Sequence, residues 1–264
     1  MSWCARDPGP RRSRPANRDK DRSVKLIVLR AGDAAAPVAA RRGEYFAWIR
    51  REAEGLWDGE WIEHDVRELD VPLPKATDAA GFIITGSSHS VTERTPWMLR
   101  SEELVRELVG AGVPLFGICF GHQMIAEALG GKVAKNPRGR EIGTVEVRRI
   151  AGTASDPLLE GVPATFLANA THVDTVATLP PGARVLAETS LEPHAAYALG
   201  ETTKCVQFHP EIDGDAMRGW LDARAEIVAS EGLDPIAIRD RSVDAPHSAE
   251  TIRNFVRHVV RKRR

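Results

Sequence analysis

The sequence predicts an α/β fold in which helices cover both faces of a doubly wound, mostly parallel sheet. Two short runs, 24–29 and 81–85, are almost continuously apolar, as is typical of strands that are buried on both faces of a parallel sheet. Runs with helical spacing lie between such strands through the first half of the chain. This alternation is the pattern of a right-handed doubly wound sheet, in which the active site lies at the carboxyl ends of the strands.

The first half of the chain supplies the parallel strands and the helices between them. Strands are predicted at 24–29, 60–66, 81–85 and 113–118. Helices are predicted at 44–54, 98–109 and 123–129. Gly110 and Gly112 follow the second of these helices, and glycine at that position is a common signal for the end of a helix.

The second half of the chain has a different pattern, in which predicted strands predominate. Strand-like runs follow one another at 143–150, 164–168, 184–189, 195–199 and 203–208. Their close succession predicts an added antiparallel region of the sheet. Two helices, at about 215–230 and 248–261, are expected to close the chain.

Composition limits the class of protein. The 264 residues carry a formal net charge of −1, and a chain of this length can form one large α/β domain. Residues 1–23 are rich in Pro, Arg, Asp and Ser, so we expect a disordered extension before a single domain at 24–264. The basic runs at 11–14 and 261–264 are typical of solvated tails, and we expect no nucleic-acid partner. No apolar run approaches the roughly 20 residues of a membrane span, so no membrane association is predicted.

Cysteine usage and motif content argue against a metal or cofactor. Cys4, Cys119 and Cys205 are odd in number and widely spaced, which excludes both a disulfide framework and a CxxC metal site. A reducing cytoplasm fits this usage best. No pair of His, Asp or Glu has metal-ligand spacing, and no glycine-rich phosphate-binding motif is present. We therefore predict neither a metal nor a cofactor.

The heptapeptide GICFGHQ at 117–123 stands between an apolar run and a helical run. A strand that turns directly into a helix at Gly-x-Cys-x-Gly is the thiol counterpart of a nucleophile elbow. Side chains at positions 117 and 121 would collide as the strand and helix close around Cys119, so glycine is required there. The N-terminus of the helix would favour a thiolate at Cys119. The alternative is a structural cysteine buried in a tight turn.

A base for this thiol is expected from the segment QFHPE at 207–211. His209 ends a predicted strand and should therefore emerge at the same edge of the sheet as Cys119. Glu211 is near enough to accept a hydrogen bond from the imidazole, and Pro210 restricts the backbone between them. His-Pro-Glu alone would be a weak signal, but together with the elbow it indicates a Cys-His-Glu hydrolytic site.

GICFGHQ, followed about ninety residues later by QFHPE, resembles the class I, or triad, glutamine amidotransferases. Residues 84–91 resemble the glycine-rich oxyanion loop of that family, and 171–176 resemble its S-H-x-D segment. The subgroup most similar is the stand-alone set related to the glutaminase domain of GMP synthetase. The resemblance implies the flavodoxin-like fold of the family with its added antiparallel strands.

The resemblance also implies a role for each matching residue. Cys119 would attack the side-chain amide of glutamine to form a γ-glutamyl thioester, His209 would transfer protons, and Glu211 would orient His209. Further positions fall into two groups. Oxyanion donors are expected at Gly86, Ser87 and Phe120. Substrate contacts are expected at Ser88, Gln123, His172, Val173 and Asp174.

Three functions remain open at this stage. The first is a glutamine amidotransferase subunit that releases glutamate and passes ammonia to a separate synthase or acceptor subunit, because no ATP-pyrophosphatase Ser-Gly-Gly-x-Asp-Ser motif is present. The second is a γ-glutamyl peptidase or hydrolase with the same triad, because Val173 replaces a glycine common in GMP synthetases and would narrow the pocket. The third is a non-catalytic regulatory or binding protein on this fold. The intact Cys119, His209 and Glu211 argue against the third.

Overall fold

The computed structural model describes residues 24–261. Its strands are β1 (Lys25–Arg30), β2 (Glu60–Asp65), β3 (Gly81–Ile84), β4 (Leu115–Ile118), β5 (Lys132–Lys135), β6 (Glu141–Arg149), β7 (Thr165–His172), β8 (Asp174–Thr178), β9 (Ala183–Glu188), β10 (Ala196–Leu199) and β11 (Thr203–Val206). Its α-helices are α1 (Ala36–Arg42), α2 (Tyr45–Glu52), α3 (Pro96–Gly110), α4 (Phe120–Ala128), α5 (Gly214–Ser230), α6 (Pro235–Asp240) and α7 (Pro246–Asn254).

A nine-stranded sheet in the order β2-β1-β3-β4-β11-β10-β9-β6-β7 forms the centre of the fold. The strands from β2 to β11 pair in parallel. The strands from β11 to β7 pair antiparallel. The prediction of a mostly parallel α/β sheet with an added antiparallel region is therefore confirmed.

Helices cover both faces of this sheet, as the burial of β1 shows. Leu26 and Val28 pack in a core with side chains of α2, α5 and α7. Ile27 and Leu29 point to the opposite face, where α3 and α4 supply the packing partners. A strand that buries both of its faces needs apolar residues at every position, which explains the unbroken apolar run in the sequence.

Several elements differ from the sequence predictions. The short helices α1 and α6 were not predicted, and neither was the two-stranded sheet that β5 forms with β8. The last predicted helix is α-helical only to Asn254, and Phe255–Val260 continues it as a π-helical turn. β7 runs to His172, well beyond the predicted 164–168. The predicted extension at 1–23 lies outside the described residues, and within residues 24–261 no helix is long and apolar enough to cross a bilayer.

The strand order brings three loops to one edge of the sheet. β4 lies between β3 and β11, and the three strands are parallel. The loop at 85–90 follows β3, Cys119 follows β4, and His209 lies three residues after β11. Because the carboxyl ends of neighbouring parallel strands meet at the same edge, these segments converge.

Candidate active site

Cys119 occupies the turn between β4 and α4 in an unfavourable backbone conformation. Its φ of 50° and ψ of −100° lie in a region that non-glycine residues rarely adopt, at a typical cost of about 1–3 kcal/mol. A Cβ on Gly117 would lie 2.7 Å from the carbonyl carbon of Gly121, and a Cβ on Gly121 would lie 2.5 Å from the carbonyl oxygen of Ile84. Glycine at 117 lets β4 and α4 close around Cys119 as predicted, but glycine at 121 is required by the close packing of α4 on β3.

His209 and Glu211 form a buried pair. The Nδ1 of His209 lies 2.7 Å from Oε1 of Glu211, and both side chains are almost fully enclosed. Burial lowers the pKa of His209, but the charge of Glu211, the neighbouring Cys119 sulfur and the hydrogen bonds to both outweigh it and raise that pKa to about 10. The imidazole next to the thiol is therefore strongly biased towards its protonated form.

Residues remote in sequence hold His209 in place. The backbone N–H of His209 donates to the carbonyl of Asn169 at 2.8 Å, and the Asn169 amide donates to the carbonyl of Ile212 at 2.8 Å. The ring of Tyr45, from α2, stacks on the imidazole with centroids 6.1 Å apart and planes 19° apart. Neither Asn169 nor Tyr45 was predicted, because each stands in a segment without a recognisable motif.

The loop after β3 packs directly against His209. A Cβ on Gly86 would lie 2.7 Å from Cε1 of that ring. The Thr85 hydroxyl accepts from the N–H of Ala31 at 3.0 Å and donates to the carbonyl of Gly86 at 3.0 Å. Phe120 is the first residue of α4, so its N–H has no carbonyl four residues earlier in the same helix. Gly86 thus lies against the His209 ring, and Phe120 directly follows Cys119 at the start of α4.

A cavity of about 270 Å³ opens above Cys119 and His209. All five predicted substrate positions line it: Ser88, Gln123, His172, Val173 and Asp174. Ser87 lines it as well, whereas Glu211 lies behind His209 and borders a different, smaller cavity. The structure therefore brings the predicted substrate positions together around one space.

Gln123 and His172, two of these five residues, are held by hydrogen bonds to the Asp174 carbonyl and to other side chains. The Gln123 amide nitrogen donates to the Asp174 carbonyl and to Oε1 of Gln207, both at 3.1 Å. His172 places Nδ1 2.9 Å from the Asp174 carbonyl and Nε2 3.0 Å from Oε2 of Glu141. Both side chains therefore support the wall of the cavity around Asp174.

His172 and Glu141 form a second buried histidine–carboxylate pair near the thiol. They are direct cross-strand partners in β7 and β6. The Asp174 carbonyl can only accept, so Nδ1 of His172 carries a proton. Burial lowers the pKa of His172, but the hydrogen bond to Glu141 and the nearby charges of Cys119 and Glu141 raise it above its ordinary value. Sequence reasoning found His172 but not Glu141, which pairs with it only through the sheet.

Charged residues that sequence reasoning missed line the cavity on two sides. Two carboxylates of the cavity wall, Glu93 and Asp174, are joined through Ser90. The N–H of Ser90 donates to Glu93 at 2.9 Å, and its hydroxyl donates to Asp174 at 2.5 Å. Arg140 and Arg224 also line the cavity. No local motif marked Glu93 or the two arginines. Within residues 24–261, no group of three or more His, Cys, Asp or Glu residues is arranged to hold a metal.

Comparison with known proteins agrees with the geometry. Residues 59–220 match the family model described as glutamine amidotransferase class-I. The chain is 34% identical over 161 residues to gamma-glutamyl peptidase 4 of Arabidopsis thaliana, covering 59% of this chain and 64% of that protein. It is 41% identical over 157 residues to the GMP synthase [glutamine-hydrolyzing] of Leifsonia xyli, covering 58% of this chain and 29% of that protein. The chain thus spans less than two thirds of the length of these curated relatives.

Solved structures share the fold. A glutamine amidotransferase from Thermotoga maritima superposes with a TM-score of 0.69 at 19% identity, covering 90% of this chain and 98% of that one. A glutamine amido transferase from Methylobacillus flagellatus gives 0.68 at 23% identity, covering 91% and 93%. At these identities the similarity concerns the architecture of the sheet and its helices.

Proposed function

Because this chain belongs to the class-I glutamine amidotransferase family, we propose that it hydrolyses the side-chain amide of glutamine through Cys119, His209 and Glu211. The products are glutamate and ammonia, and the intermediate is a γ-glutamyl thioester. The observation that carries the proposal is the buried His209–Glu211 pair beside a cysteine held at positive φ at the start of a helix. A thiol, a proton carrier and an orienting carboxylate are the parts that this chemistry needs.

The first half of the reaction forms the thioester. The thiol proton of Cys119 resides on His209, and the sulfur attacks the amide carbon while the carbonyl electron pair moves to oxygen. Collapse of this tetrahedral species breaks the C–N bond, and His209 gives its proton to the leaving nitrogen. Ammonia departs, and His209 is left neutral with Nδ1 bonded to Glu211.

The second half hydrolyses the thioester. Neutral His209 takes a proton from water as the oxygen attacks the thioester carbon, and collapse breaks the C–S bond. The backbone N–H groups of Phe120 and of Gly86–Ser87 are the proposed donors to the oxyanion in both halves. Removal of one such donor typically lowers the rate by about 10²–10³-fold.

The acyl part of the substrate is proposed to lie against Ser88, Val173 and Asp174, with Glu93 beside them. Carboxylates at Asp174 and Glu93 suit the α-ammonium group of a glutamyl chain. Gln123 and His172 act indirectly in this proposal, because both bond to the backbone or side chains of the cavity wall. They keep the Asp174 segment in place.

Two questions about substrate and partner belong to the proposal. Ammonia from glutamine would pass to a separate synthase subunit in the cytoplasm.

The similarity to a gamma-glutamyl peptidase and the presence of Val173 in the cavity wall favour a second candidate, which is hydrolysis of γ-glutamyl peptides by the same triad. In that case the leaving group is an amino acid or peptide and no ammonia acceptor is needed.

The test is a side-by-side assay of glutamate release from glutamine and from a panel of γ-glutamyl dipeptides. Wild type is expected to release glutamate, and Cys119→Ser is expected to lose the activity. Cys205→Ser serves as the matched control, because Cys205 is buried in β11 away from the cavity. If no substrate yields Cys119-dependent glutamate and a glutamine-like chloroketone fails to alkylate Cys119, the proposal is refuted in favour of a non-catalytic role.

A further inference from the structure

One wall of the cavity is built by residues outside the part of the chain that matches the family. The match covers residues 59–220. Tyr45 from α2 and Arg224 from the second half of α5 line the cavity from beyond those limits, and Trp220 stands at the boundary. The family match by itself therefore assigns no role to Tyr45 or Arg224.

The positively charged guanidinium of Arg224 forms no ion pair with a carboxylate within residues 24–261. Its guanidinium lies 4.5 Å from the centroid of the Trp220 ring, and partial burial lowers its pKa. Arg140, the other arginine at the cavity, is already paired with both carboxylate oxygens of Glu231 at 2.6 and 2.8 Å. A partly desolvated guanidinium without a partner is costly unless a ligand supplies the anion.

The charges around the cavity are segregated. Glu93 and Asp174 form one cluster because both bond to Ser90. Arg224 lies near Arg140, which lowers its pKa further, and near Tyr45. A ligand that fits both clusters carries an ammonium at one end and a carboxylate at the other. Free glutamine has both charged groups on the same carbon atom and offers only an uncharged amide at its other end.

The proposed chemistry determines which end of the ligand faces the carboxylates of the cavity and which end faces Arg224. His209 must reach the leaving nitrogen to protonate it, so substituents of that nitrogen lie on the His209 side. Tyr45 stacks on the His209 ring, and Tyr45 and Arg224 line the same cavity. The leaving group therefore extends along Tyr45 towards Arg224, while the glutamyl amino group faces Asp174 and Glu93.

We propose that Arg224 determines specificity by binding the carboxylate of the group that leaves with the γ-nitrogen. The preferred substrates are then γ-glutamyl amino acids or short γ-glutamyl peptides with a free terminal carboxylate, in preference to glutamine. Trp220 holds the guanidinium plane, and the planar fork of arginine suits bidentate binding of a carboxylate. This inference rests on the thioester chemistry proposed above, and it favours the second candidate substrate, a γ-glutamyl peptide, over glutamine.

The test compares γ-glutamylglycine, γ-glutamylglycinamide and glutamine as substrates of wild type and Arg224→Met. The first two differ only by a terminal carboxylate. The variant is expected to raise KM for γ-glutamylglycine by about 10- to 100-fold, as for loss of a charged hydrogen-bonded pair. Its kcat/KM for γ-glutamylglycinamide and glutamine should stay within about threefold of wild type, well below a tenfold effect. Arg224→Lys should restore part of the loss, and Arg241→Met, at an exposed position, is the matched control.

Two results would overturn the inference. An unchanged KM for γ-glutamylglycine would show that Arg224 does not bind its carboxylate. An equal loss on all three substrates would show that Arg224 binds the glutamyl α-carboxylate or supports the fold. If wild type turns over no substrate, the proposed function fails separately. Calorimetric binding of the two glycine compounds to Cys119→Ser and to Cys119→Ser with Arg224→Met then still decides whether Arg224 recognises the carboxylate.

Discussion

Replacing Glu211 by glutamine is expected to move the alkaline limit of activity to lower pH. In the wild-type protein Glu211 and the Cys119 sulfur outweigh the effect of burial and raise the pKa of His209 to about 10, against an ordinary value of 6.5. An opposite charge at hydrogen-bonding distance typically shifts a pKa by about 1–3 units. The variant should therefore lose its imidazolium between about pH 7 and 9, one to three units earlier than wild type.

The sign of the effect follows from linkage. Because the folded-state pKa of His209 lies above its unfolded value, the stabilisation from its protonation is complete below about pH 6.5 and is lost as the pH rises through about 10. Glu211→Gln should weaken this stabilisation and end it at lower pH. Activity should follow the same change, since the proposed chemistry needs protonated His209 to expel the leaving nitrogen.

The measurement is kcat/KM for a γ-glutamyl substrate from about pH 6 to 11, a range that covers both titrations. Urea unfolding at about pH 6 and 9 reports the linked stability. Glu226→Gln, at an exposed position of α5, is the control and should leave both profiles unchanged. A variant whose activity falls equally at every pH, with its alkaline limb still near 10, would show that Glu211 orients His209 without setting its pKa.

Three further predictions concern packing and reactivity. Gly86→Ala should lower kcat by at least about 10²-fold, because its Cβ would lie 2.7 Å from Cε1 of His209; steady-state kinetics near wild-type values would contradict this contact. Lys204→Met should lower the free energy of unfolding by about 1–3 kcal/mol, since Lys204 pairs with Asp156 at 2.9 Å with both side chains buried, while Asp156 keeps Arg184 as a partner at 2.6 Å; urea denaturation measures the loss, and a stability equal to wild type would refute it. Iodoacetamide at about pH 8 should leave Cys205 unmodified in the folded protein, because burial raises its pKa to about 12; peptide mass spectrometry that finds it alkylated before unfolding would disprove this.

The elements that local sequence predicted are those whose signal is contained in one segment. The buried strands at 24–29 and 81–85 were recognisable because a strand covered on both faces must be apolar throughout. The turn around Cys119 was recognisable because the Gly-x-Cys-x-Gly pattern lies within five consecutive residues, and a Cβ on Gly117 would clash with Gly121 of the following helix. The signal that predicts each of these parts is therefore local, although their packing partners are remote in sequence.

The elements that were missed are short and owe their existence to tertiary contacts. β5 has four residues and is stabilised by pairing with β8, whose residues lie some forty positions later. α6 has six residues and buries none of them fully. An element of this length is marginal by itself, so its own residues carry too weak a pattern to predict it.

The sequence by itself determined the fold class and the order of the candidate groups, Cys119 on the elbow and His209 with Glu211 after a strand. Only the tertiary structure decided what surrounds them: Tyr45 stacked on the imidazole, Glu141 paired with His172, and Arg224 in the wall of the cavity. The physical reason is that the pattern that predicts the turn around Cys119 is contained in a few consecutive residues. A cavity wall is made where distant segments meet, and the neighbours of each wall residue along the chain are not its neighbours in space.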